Sequence, residues 1–334
     1  VYSSSYLHFA PGLSDNAAFN LPKMPSNAYL GLYIDSDGPS GIIKDLPADE
    51  TAYFKYLPMY YPYLLKKDPT TFVVQFGGGI STAVALKSGS QKVTVAEGNP
   101  AVLTAFREDK GLRDFTGDIL NNPKINVIDY DGRLYVAHTK NRYDVVDLSL
   151  ADSAGLSSPG GFSIVEKYSY TREAMSAYMR ALKPDGILSV TLWNKEEPPK
   201  SVLKLYATMA AAARDVAGGQ GGDNDIANKF YVVSAYLSTT TVLYKRDGFT
   251  PDEIAKLNAH SKAMSFDTVY YPGIKVDTAE LPQILADYRN QFFYVGQPAD
   301  PTAPSESEPN DKPPPGAPGA SETPSSGETQ ADGT

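Results

Sequence analysis

The chain has 334 residues, of which 42% are hydrophobic and 11% aromatic, so it can bury the core of one large domain or two modest ones. It has no cysteine, and its three histidines are far apart in sequence, which excludes disulfides, thiolate catalysis and cysteine metal sites and argues against a histidine metal site. The net charge of −9, without a basic stripe, argues against nucleic acid as a partner.

The first 66 residues predict a small β-rich unit that ends in a connecting helix. Short candidate strands such as 29-YLGLYID-35 are followed by the turn-rich stretch SDGPSG. The segment 50-ETAYFKYLPMYYPYLL-65 spaces its aromatic residues for one side of a helix. Tyr56 and its neighbouring tyrosines are candidates for the wall of a substrate pocket, with packing in the core as the alternative. The start at Val1, without a signal-peptide pattern, predicts a processed product or a piece of a longer protein.

From Phe72 onward, strand-like and helix-like segments alternate. Alternation of this kind predicts an α/β fold in which helices cover both faces of a mostly parallel sheet. Candidate strands are residues 72–76, 92–97, 125–129, 144–150, 187–193, 230–237 and 240–246, and candidate helices are residues 81–88, 100–110, 171–182 and 201–216. The last two strands almost touch, which indicates an antiparallel pair at the end of the sheet. Thr250, Pro251 and Glu253 then predict a helix that begins with a capping box.

The C-terminal residues differ in composition from the rest of the chain. Residues 297–334 consist largely of Pro, Ser, Gly and acidic residues and have no aromatic side chain, so we expect a disordered tail. Seven acidic residues and one lysine lie there, which leaves the rest of the chain nearly neutral. The predicted division is therefore an N-terminal unit of residues 1–66, a main domain of residues 67–296 and this tail.

Three glycines follow the first strand of the alternation, in 73-VVQFGGGISTAV-84. Glycine has no Cβ, so a ligand can approach the backbone there, and Glu97 at the end of the next strand can accept the hydroxyls of a ribose. Asp131 follows the third strand, where it would reach an adenine amine. Candidate binding residues are Gly77, Gly78, Gly79, Glu97, Asp131 and Gly132. They predict an adenosine-type ligand without separating NAD from S-adenosylmethionine. The terminal strand pair favours a Rossmann-like, methyltransferase-type sheet of seven strands over an all-parallel dinucleotide-binding sheet.

Several blocks of the chain resemble the spermidine synthase-like family of polyamine aminopropyltransferases, in the form that bacteria fuse to membrane helices. The blocks are 125-INVIDYDGRLYVAHTKNRYDVVDLSLADS-153, 168-YSYTREAMSAYMRALKPDGILSVTLW-193 and 249-FTPDEIAKLNAHSKAMSFDTVYYPG-273. The resemblance covers about residues 8–275. It implies S-adenosylmethionine or its decarboxylated form as co-substrate and no metal. It also implies that the three glycines face the methionine part of the ligand.

The chain departs from this family at the positions that carry the chemistry. In polyamine synthases the fourth strand ends in Asp-Ser-x-Asp-Pro, and the first Asp takes a proton from the attacking amine. The corresponding residues here are Ser149 and Asp152, so the base position is degenerate and the second carboxylate remains. A serine cannot hold a proton taken from an ammonium, because its pKa is far too high. Ile80 stands where the family has an acid, and Glu166 and Asp147 are further carboxylates available for a cationic substrate.

Two functions are left open. The first is a transferase that moves an aminopropyl or methyl group to an acceptor, with Tyr56, Tyr168 and Tyr170 as candidate substrate contacts. The second is a catalytically degenerate interaction module of a membrane-associated bacterial assembly, in which Phe76 or Ile80 would fill the pocket. An NAD-dependent oxidoreductase is disfavoured by the strand pair. Candidate partners are an adenosine-type small molecule, a membrane protein or membrane-embedded part of the same polypeptide, and a second copy in a homodimer, with the side of the membrane undetermined.

Overall fold

The computed structural model describes residues 1, 20–23, 29–33, 40–149, 168–194, 199–219, 222–235 and 238–275. These residues belong to one compact unit, Val1–Val276, and a second unit, Asp277–Thr334, lies outside them. The predicted tail is therefore not described, and the predicted boundary at residue 66 stays a prediction. In the described ranges, no helix combines the length and the apolar character that crossing a membrane requires.

A two-stranded antiparallel sheet forms the N-terminal part of the described structure. Strand β1 (Tyr29–Leu32) pairs with β2 (Ser40–Ile43), and Gly31 lies opposite Gly41. Ile42 on β2 is fully buried. Because an isolated hairpin is marginally stable in water, this burial against the rest of the unit is what stabilises the pair. The predicted small β-rich unit is confirmed.

The main sheet contains the seven predicted strands and one more. The strands are β3 (Thr70–Val73), β4 (Lys92–Ala96), β5 (Ile125–Ile128), β6 (Tyr143–Ser149), β7 (Leu182–Trp193), β8 (Phe230–Ala235), β9 (Thr239–Lys245) and β10 (Asp267–Tyr270). Their spatial order is β10-β8-β9-β7-β6-β3-β4-β5. The predicted strands match these bounds to within a few residues, apart from the earlier start of β7.

The direction of the strands follows the predicted pattern. The neighbouring strands β7, β6, β3, β4 and β5 are parallel to one another. Strand β9 runs antiparallel to both of its neighbours, β7 and β8. This confirms the methyltransferase-type sheet with an antiparallel strand pair at its end. The additional strand β10 pairs antiparallel with β8 at the edge. It was not predicted, because it is only four residues long and its sequence, Asp-Thr-Val-Tyr, does not alternate between polar and apolar residues.

Helices pack on both faces of the sheet. They are α1 (Tyr61–Leu65), α2 (Ile80–Lys87), α3 (Pro100–Glu108), α4 (Lys110–Thr116), α5 (Gly132–Val136), α6 (Arg172–Ala181), α7 (Lys200–Val216), α8 (Asp223–Ala227) and α9 (Pro251–Met264). Short 3₁₀ helices span Thr51–Tyr56, Pro58–Tyr60, Ile119–Asn121 and Tyr168–Tyr170. Alternate residues of the central strands face the two layers, so Val145 packs in one hydrophobic cluster with Tyr61, and Val146 packs in the other with Tyr178.

The helix predicted within residues 50–65 is broken into three short pieces. Two 3₁₀ helices, Thr51–Tyr56 and Pro58–Tyr60, precede α1. Proline has no N–H for the i to i−4 hydrogen bond, and Pro58 is the first residue of the second piece and Pro62 the second residue of α1. The prediction of one continuous helix is therefore wrong, although its aromatic residues do pack in the core.

The predicted capping box at the start of α9 is confirmed. The backbone N–H of Glu253 donates to the Thr250 hydroxyl at 3.3 Å, and the N–H of Thr250 donates to the Glu253 carboxylate at 2.9 Å. Glu253 also pairs with Lys245, whose side chain is 3% exposed. The capping box thus also neutralises a lysine of the adjoining strand β9.

Candidate ligand site

The glycine loop joins β3 to α2 at the carboxyl end of the sheet. Gly77 and Gly79 have φ values of +55° and +86°, a region that favours glycine. Gly79 also precedes the first residue of α2. The predicted order of strand, glycine loop and helix is therefore present, and two of the glycines are required by the backbone conformation of the loop.

Gly78 has a different physical reason for being glycine. A Cβ at this position would lie 1.8 Å from the carbonyl oxygen of Gly41 on β2, closer than any real contact. The N–H of Ile43 also donates to the Gly78 carbonyl at 3.4 Å. The N-terminal hairpin therefore packs directly on the glycine loop. Whether Gly78 also faces a ligand stays a prediction.

Glu97 joins the glycine loop to the end of β4. Its side chain is 3% exposed; Oε2 accepts from the N–H of Gly77 at 3.0 Å, and Oε1 accepts from the N–H of Asn99 at 2.9 Å. Burial raises the pKa of this carboxyl, and the backbone donors oppose the rise. Each carboxylate oxygen can accept more than one hydrogen bond, so the carboxylate can also accept from the hydroxyls of a ligand.

Asp131 and Gly132 hold the start of α5 against the sheet. Oδ1 of Asp131 accepts from the N–H of Leu134 at 2.9 Å and thereby caps the helix. A Cβ at Gly132 would lie 2.1 Å from the carbonyl oxygen of Val74, so only glycine allows the helix to approach β3 this closely. Sequence reasoning assigned Asp131 to a ligand and missed its capping role, although an Asp before a short helix is a common signal of a cap.

A cavity of about 470 Å³ lies between these elements. It is lined by Val74, Gln75, Glu97, Gly98, Asn99, Pro100, Asp131, Gly132 and Ser169. Its volume falls within the range of about 300–1,000 Å³ that is typical of small-molecule sites. Two carboxylates line it: that of Glu97 is almost fully buried, and the side chain of Asp131 is 42% exposed. Carboxylates accept hydrogen bonds, so these two groups suit the hydroxyls of a ribose and the amine of an adenine as donors.

The other predicted site residues lie at different places. Tyr168 and Tyr170 flank the cavity residue Ser169 in a 3₁₀ helix, and the guanidinium of Arg133 lies 5.3 Å from the centre of the Tyr168 ring. Tyr56 does not line the cavity, and its hydroxyl donates to the carbonyl of Asn20 at 2.9 Å. Their roles toward a substrate stay predictions.

Two predicted carboxylates are not described. Asp152 and Glu166 both lie outside the described residues. Among the side chains that are described, no group of three or more His, Cys, Asp or Glu residues has the arrangement of a metal site.

Ser149 belongs to a buried polar cluster at the end of β6. Its hydroxyl oxygen lies 3.0 Å from Oδ2 of Asp147 and 2.9 Å from the hydroxyl oxygen of Thr191. Asp147 is 2% exposed, and burial raises its pKa to about 7, against the opposing effect of nearby hydroxyls. The sequence signal for this cluster was the carboxylate of Asp147 inside the apolar strand DVVDLSL. The sequence analysis named Asp147 only as a further carboxylate for a cationic substrate.

We expect Asp147→Asn to raise stability at neutral pH but not at pH 4. The pKa of Asp147 is raised from its unfolded value near 3.8 to about 7. The wild-type free energy of unfolding is therefore highest below pH 4, where the carboxyl is protonated in both states, and it falls as pH rises toward about 7. The difference in unfolding free energy should grow by up to about 4 kcal/mol over that range and then stay constant. Urea unfolding of both proteins between pH 4 and 8 measures it. A difference independent of pH would show that Asp147 has an ordinary pKa.

Sequence comparison finds relatives among the polyamine aminopropyltransferases. The chain is 28% identical over 176 residues to the polyamine aminopropyltransferase of Nitrosomonas europaea, covering 52% of this chain and 50% of that protein. It is 31% identical over 146 residues to that of Korarchaeum cryptofilum, covering 42% of each chain. The chain thus spans about half the length of the curated relatives it matches. No family model matches the sequence.

Solved structures with a similar arrangement include a spermidine synthase in complex with the transition-state analogue AdoDATO. It is 17% identical, with a TM-score of 0.42, and covers 78% of this chain and 88% of its own. Human methyltransferase-like protein 13 in complex with SAH is 15% identical, with a TM-score of 0.38, and covers 70% of this chain and 96% of its own.

Proposed function

We propose that this relative of the polyamine aminopropyltransferases binds S-adenosylmethionine or its decarboxylated form and transfers an aminopropyl or methyl group to an amine. The observation that carries the proposal is the buried carboxylate of Glu97, held by two backbone donors at the wall of the cavity. In this assignment its free acceptor positions bind the two ribose hydroxyls. Asp131, which also lines the cavity, accepts from the adenine amine.

The reaction asks little covalent chemistry of the protein. An amine nitrogen attacks a carbon bonded to the sulfonium, the N–C bond forms, the C–S bond breaks, and its electron pair stays on sulfur. Because the leaving group is already activated by its positive charge, holding the two reactants in line supplies most of the rate. The protein must also leave the amine unprotonated, since an ammonium has no lone pair with which to attack.

A non-catalytic interaction module is the second candidate. The neutral Ser149 at the position where the family has a carboxylate favours it. However, the two side chains expected to fill the pocket of such a module do not line the cavity. Phe76 packs edge-on against Phe106, with ring centres 4.8 Å apart, and Ile80 is buried in the same hydrophobic cluster. An open cavity supports the transferase over the module.

Calorimetric titration of the purified chain with S-adenosylmethionine, its decarboxylated form and methylthioadenosine tests the proposal. We expect at least one of the three to bind with a dissociation constant in the micromolar range, roughly −8 kcal/mol. Adenosine monophosphate, which carries the same nucleoside but no sulfur, is the control that shows whether binding depends on the sulfur-containing group of the ligand. No heat of binding from any of the three at millimolar concentration would overturn the transferase and leave the interaction module.

A further inference from the structure

The buried cluster around Asp147 lies one strand away from the cavity. The backbone carbonyl of Asp147 accepts from the N–H of Val74 at 2.9 Å, and Val74 lines the cavity. Asp147 lies on β6, and Val74 directly follows the neighbouring parallel strand β3, so the two residues lie near the carboxyl ends of two strands at the same edge of the sheet. An amine that attacks a ligand in the cavity would reach this edge.

Asp147 and Ser149 point to the same face of β6. Side chains two apart on a strand share a face and are separated by roughly 7 Å along it, so Ser149 is the one nearer the edge. The hydroxyl of Ser149 bridges part of that distance by its 3.0 Å contact with Asp147. The Ser81 hydroxyl, on α2 beside the glycine loop, donates to the Ser149 carbonyl at 3.3 Å.

The hydroxyl groups of Ser149, Thr191 and Thr241 form a hydrogen-bonded chain that ends at the carboxylate of Asp147. Ser149 has a single hydroxyl proton, and its two neighbours are the Asp147 carboxyl and the Thr191 hydroxyl. A carboxylate is a stronger acceptor than a hydroxyl, so Ser149 donates its proton to Asp147 rather than to Thr191. Thr191 in turn lies 2.7 Å from the hydroxyl oxygen of Thr241. One lone pair of the Ser149 oxygen is then left to accept a further proton.

Asp147 has the properties of a proton acceptor rather than of a structural ion. Its Oδ1 atom is buried and makes no hydrogen bond of normal geometry within the part of the chain that the structure describes. Burial brings its pKa to about 7, so both protonation states are accessible near neutral pH. Among the groups that face it, Tyr63 on α1 is titratable, and burial followed by the charge of Asp147 keeps the pKa of that phenol well above its ordinary value.

We propose that Asp147 accepts, through the hydroxyl of Ser149, the proton that an ammonium substrate must lose before it attacks the sulfonium. This inference rests on the proposed transferase function. In the step, the ammonium N–H bond breaks and its proton goes to the Ser149 oxygen, while the Ser149 proton passes to Oδ2 of Asp147. The amine keeps the electron pair, Ser149 ends neutral, and the carboxylate becomes a carboxylic acid. Serine never holds the charge, so its high pKa is no obstacle.

The test measures product formation as a function of pH. Decarboxylated S-adenosylmethionine and S-adenosylmethionine are each supplied with 1,4-diaminobutane, and methylthioadenosine or S-adenosylhomocysteine is quantified by mass spectrometry. We expect the wild-type kcat to rise about tenfold per pH unit on the acidic side and to lose that dependence near pH 7. Asp147→Asn and Ser149→Ala should each lower kcat by about 10²–10⁴ and abolish this acidic limb. Ser149→Thr keeps a hydroxyl at this position, so it should retain the kcat and the acidic limb that Ser149→Ala loses.

Two controls separate the proton relay from simple packing. Asp144→Asn makes the same chemical change on the same strand, at a carboxylate that accepts from Thr70 and Lys183 outside the cluster. Ser176→Ala removes a buried hydroxyl from α6, in the opposite hydrophobic layer. Both should keep the wild-type pH profile. Infrared spectroscopy should show a protonated carboxyl band that titrates with pH in the wild type and is missing in Asp147→Asn.

The outcomes distinguish this inference from the proposed function. A wild type that neither binds the sulfonium ligands nor turns over overturns the transferase and the relay together. A wild type that binds them but makes no product with the amine overturns the relay and the transfer to this amine, and leaves the binding of a sulfonium ligand standing. The relay is also overturned if Asp147→Asn, shown to be folded by its unfolding curve, keeps the wild-type rate and acidic limb.

Discussion

Replacement of Glu97 by alanine is expected to weaken binding of S-adenosylmethionine or its decarboxylated form at least about 100-fold. A hydrogen bond to a charged acceptor contributes roughly 1.5–3 kcal/mol, and the assignment gives this carboxylate two ribose hydroxyls. The substitution also leaves the N–H groups of Gly77 and Asn99 without their acceptor, so the loop loses its link to β4. Calorimetry on the wild type and the variant measures the change.

Two further variants show whether the loss of affinity comes from the ribose contact of Glu97. Glu97→Gln keeps the size of the side chain and one acceptor oxygen, so it should retain part of the affinity if shape is preserved. Glu108→Ala removes an exposed glutamate from the end of α3 and should bind as the wild type does. If Glu97→Ala bound the ligand within about threefold of the wild type, a difference under 1 kcal/mol, the ribose assignment would be wrong.

Gly132→Ala is expected to lower the free energy of unfolding by about 3 kcal/mol, at the upper end of the cost of overpacking. The added methyl group would lie 2.1 Å from the Val74 carbonyl oxygen and 3.1 Å from the Cβ of Ala96, and neither the Val74 backbone nor this short side chain can move aside easily. Relief requires α5 to move away from β3, which displaces Asp131 from the cavity. The variant should therefore also bind ligand more weakly. Urea unfolding followed by circular dichroism measures the stability.

Gly222→Ala is the matched control for this prediction. The methyl group added there would find no atom nearer than 3.7 Å, so little effect on stability is expected. An unchanged unfolding midpoint for Gly132→Ala would mean that α5 is not held against the sheet as the structure describes. The predicted loss of ligand affinity would then have no basis either.

Local patterns along the chain were enough to predict most of the sheet. The strands β3 to β7 consist of short apolar runs separated by helical periodicity, and each such signal lies within a few neighbouring residues. The same holds for the glycine loop, for the acid at the end of β4 and for the capping box at Thr250, because a cap is a contact between residues three apart. These features needed no knowledge of distant contacts.

Three features were missed or misassigned, and one of them depends on residues that are distant in sequence. The close approach of Gly41 to Gly78 joins residues of two different sheets, and nothing in the glycine triplet distinguishes a ligand from a neighbouring backbone. The carboxylate of Asp131 was assigned to a ligand alone, whereas it also caps α5. The break within residues 50–65 was readable from Pro58 and Pro62, but the aromatic spacing obscured it.

The amino-acid sequence by itself determined that this protein is an α/β domain with a glycine loop after one strand and an acid at the end of the next, and that Ser149 stands where the polyamine aminopropyltransferases it resembles have a carboxylate. Periodicity, glycine spacing and one-position substitutions are local properties, so they can be read along the chain. Only the tertiary structure decided which polar groups meet. Ser149 meets Thr191, and Thr191 meets Thr241, because three strands pair in register, and Asp147 has a raised pKa because the packed layers exclude water from it. Register and exclusion of water arise from the whole fold.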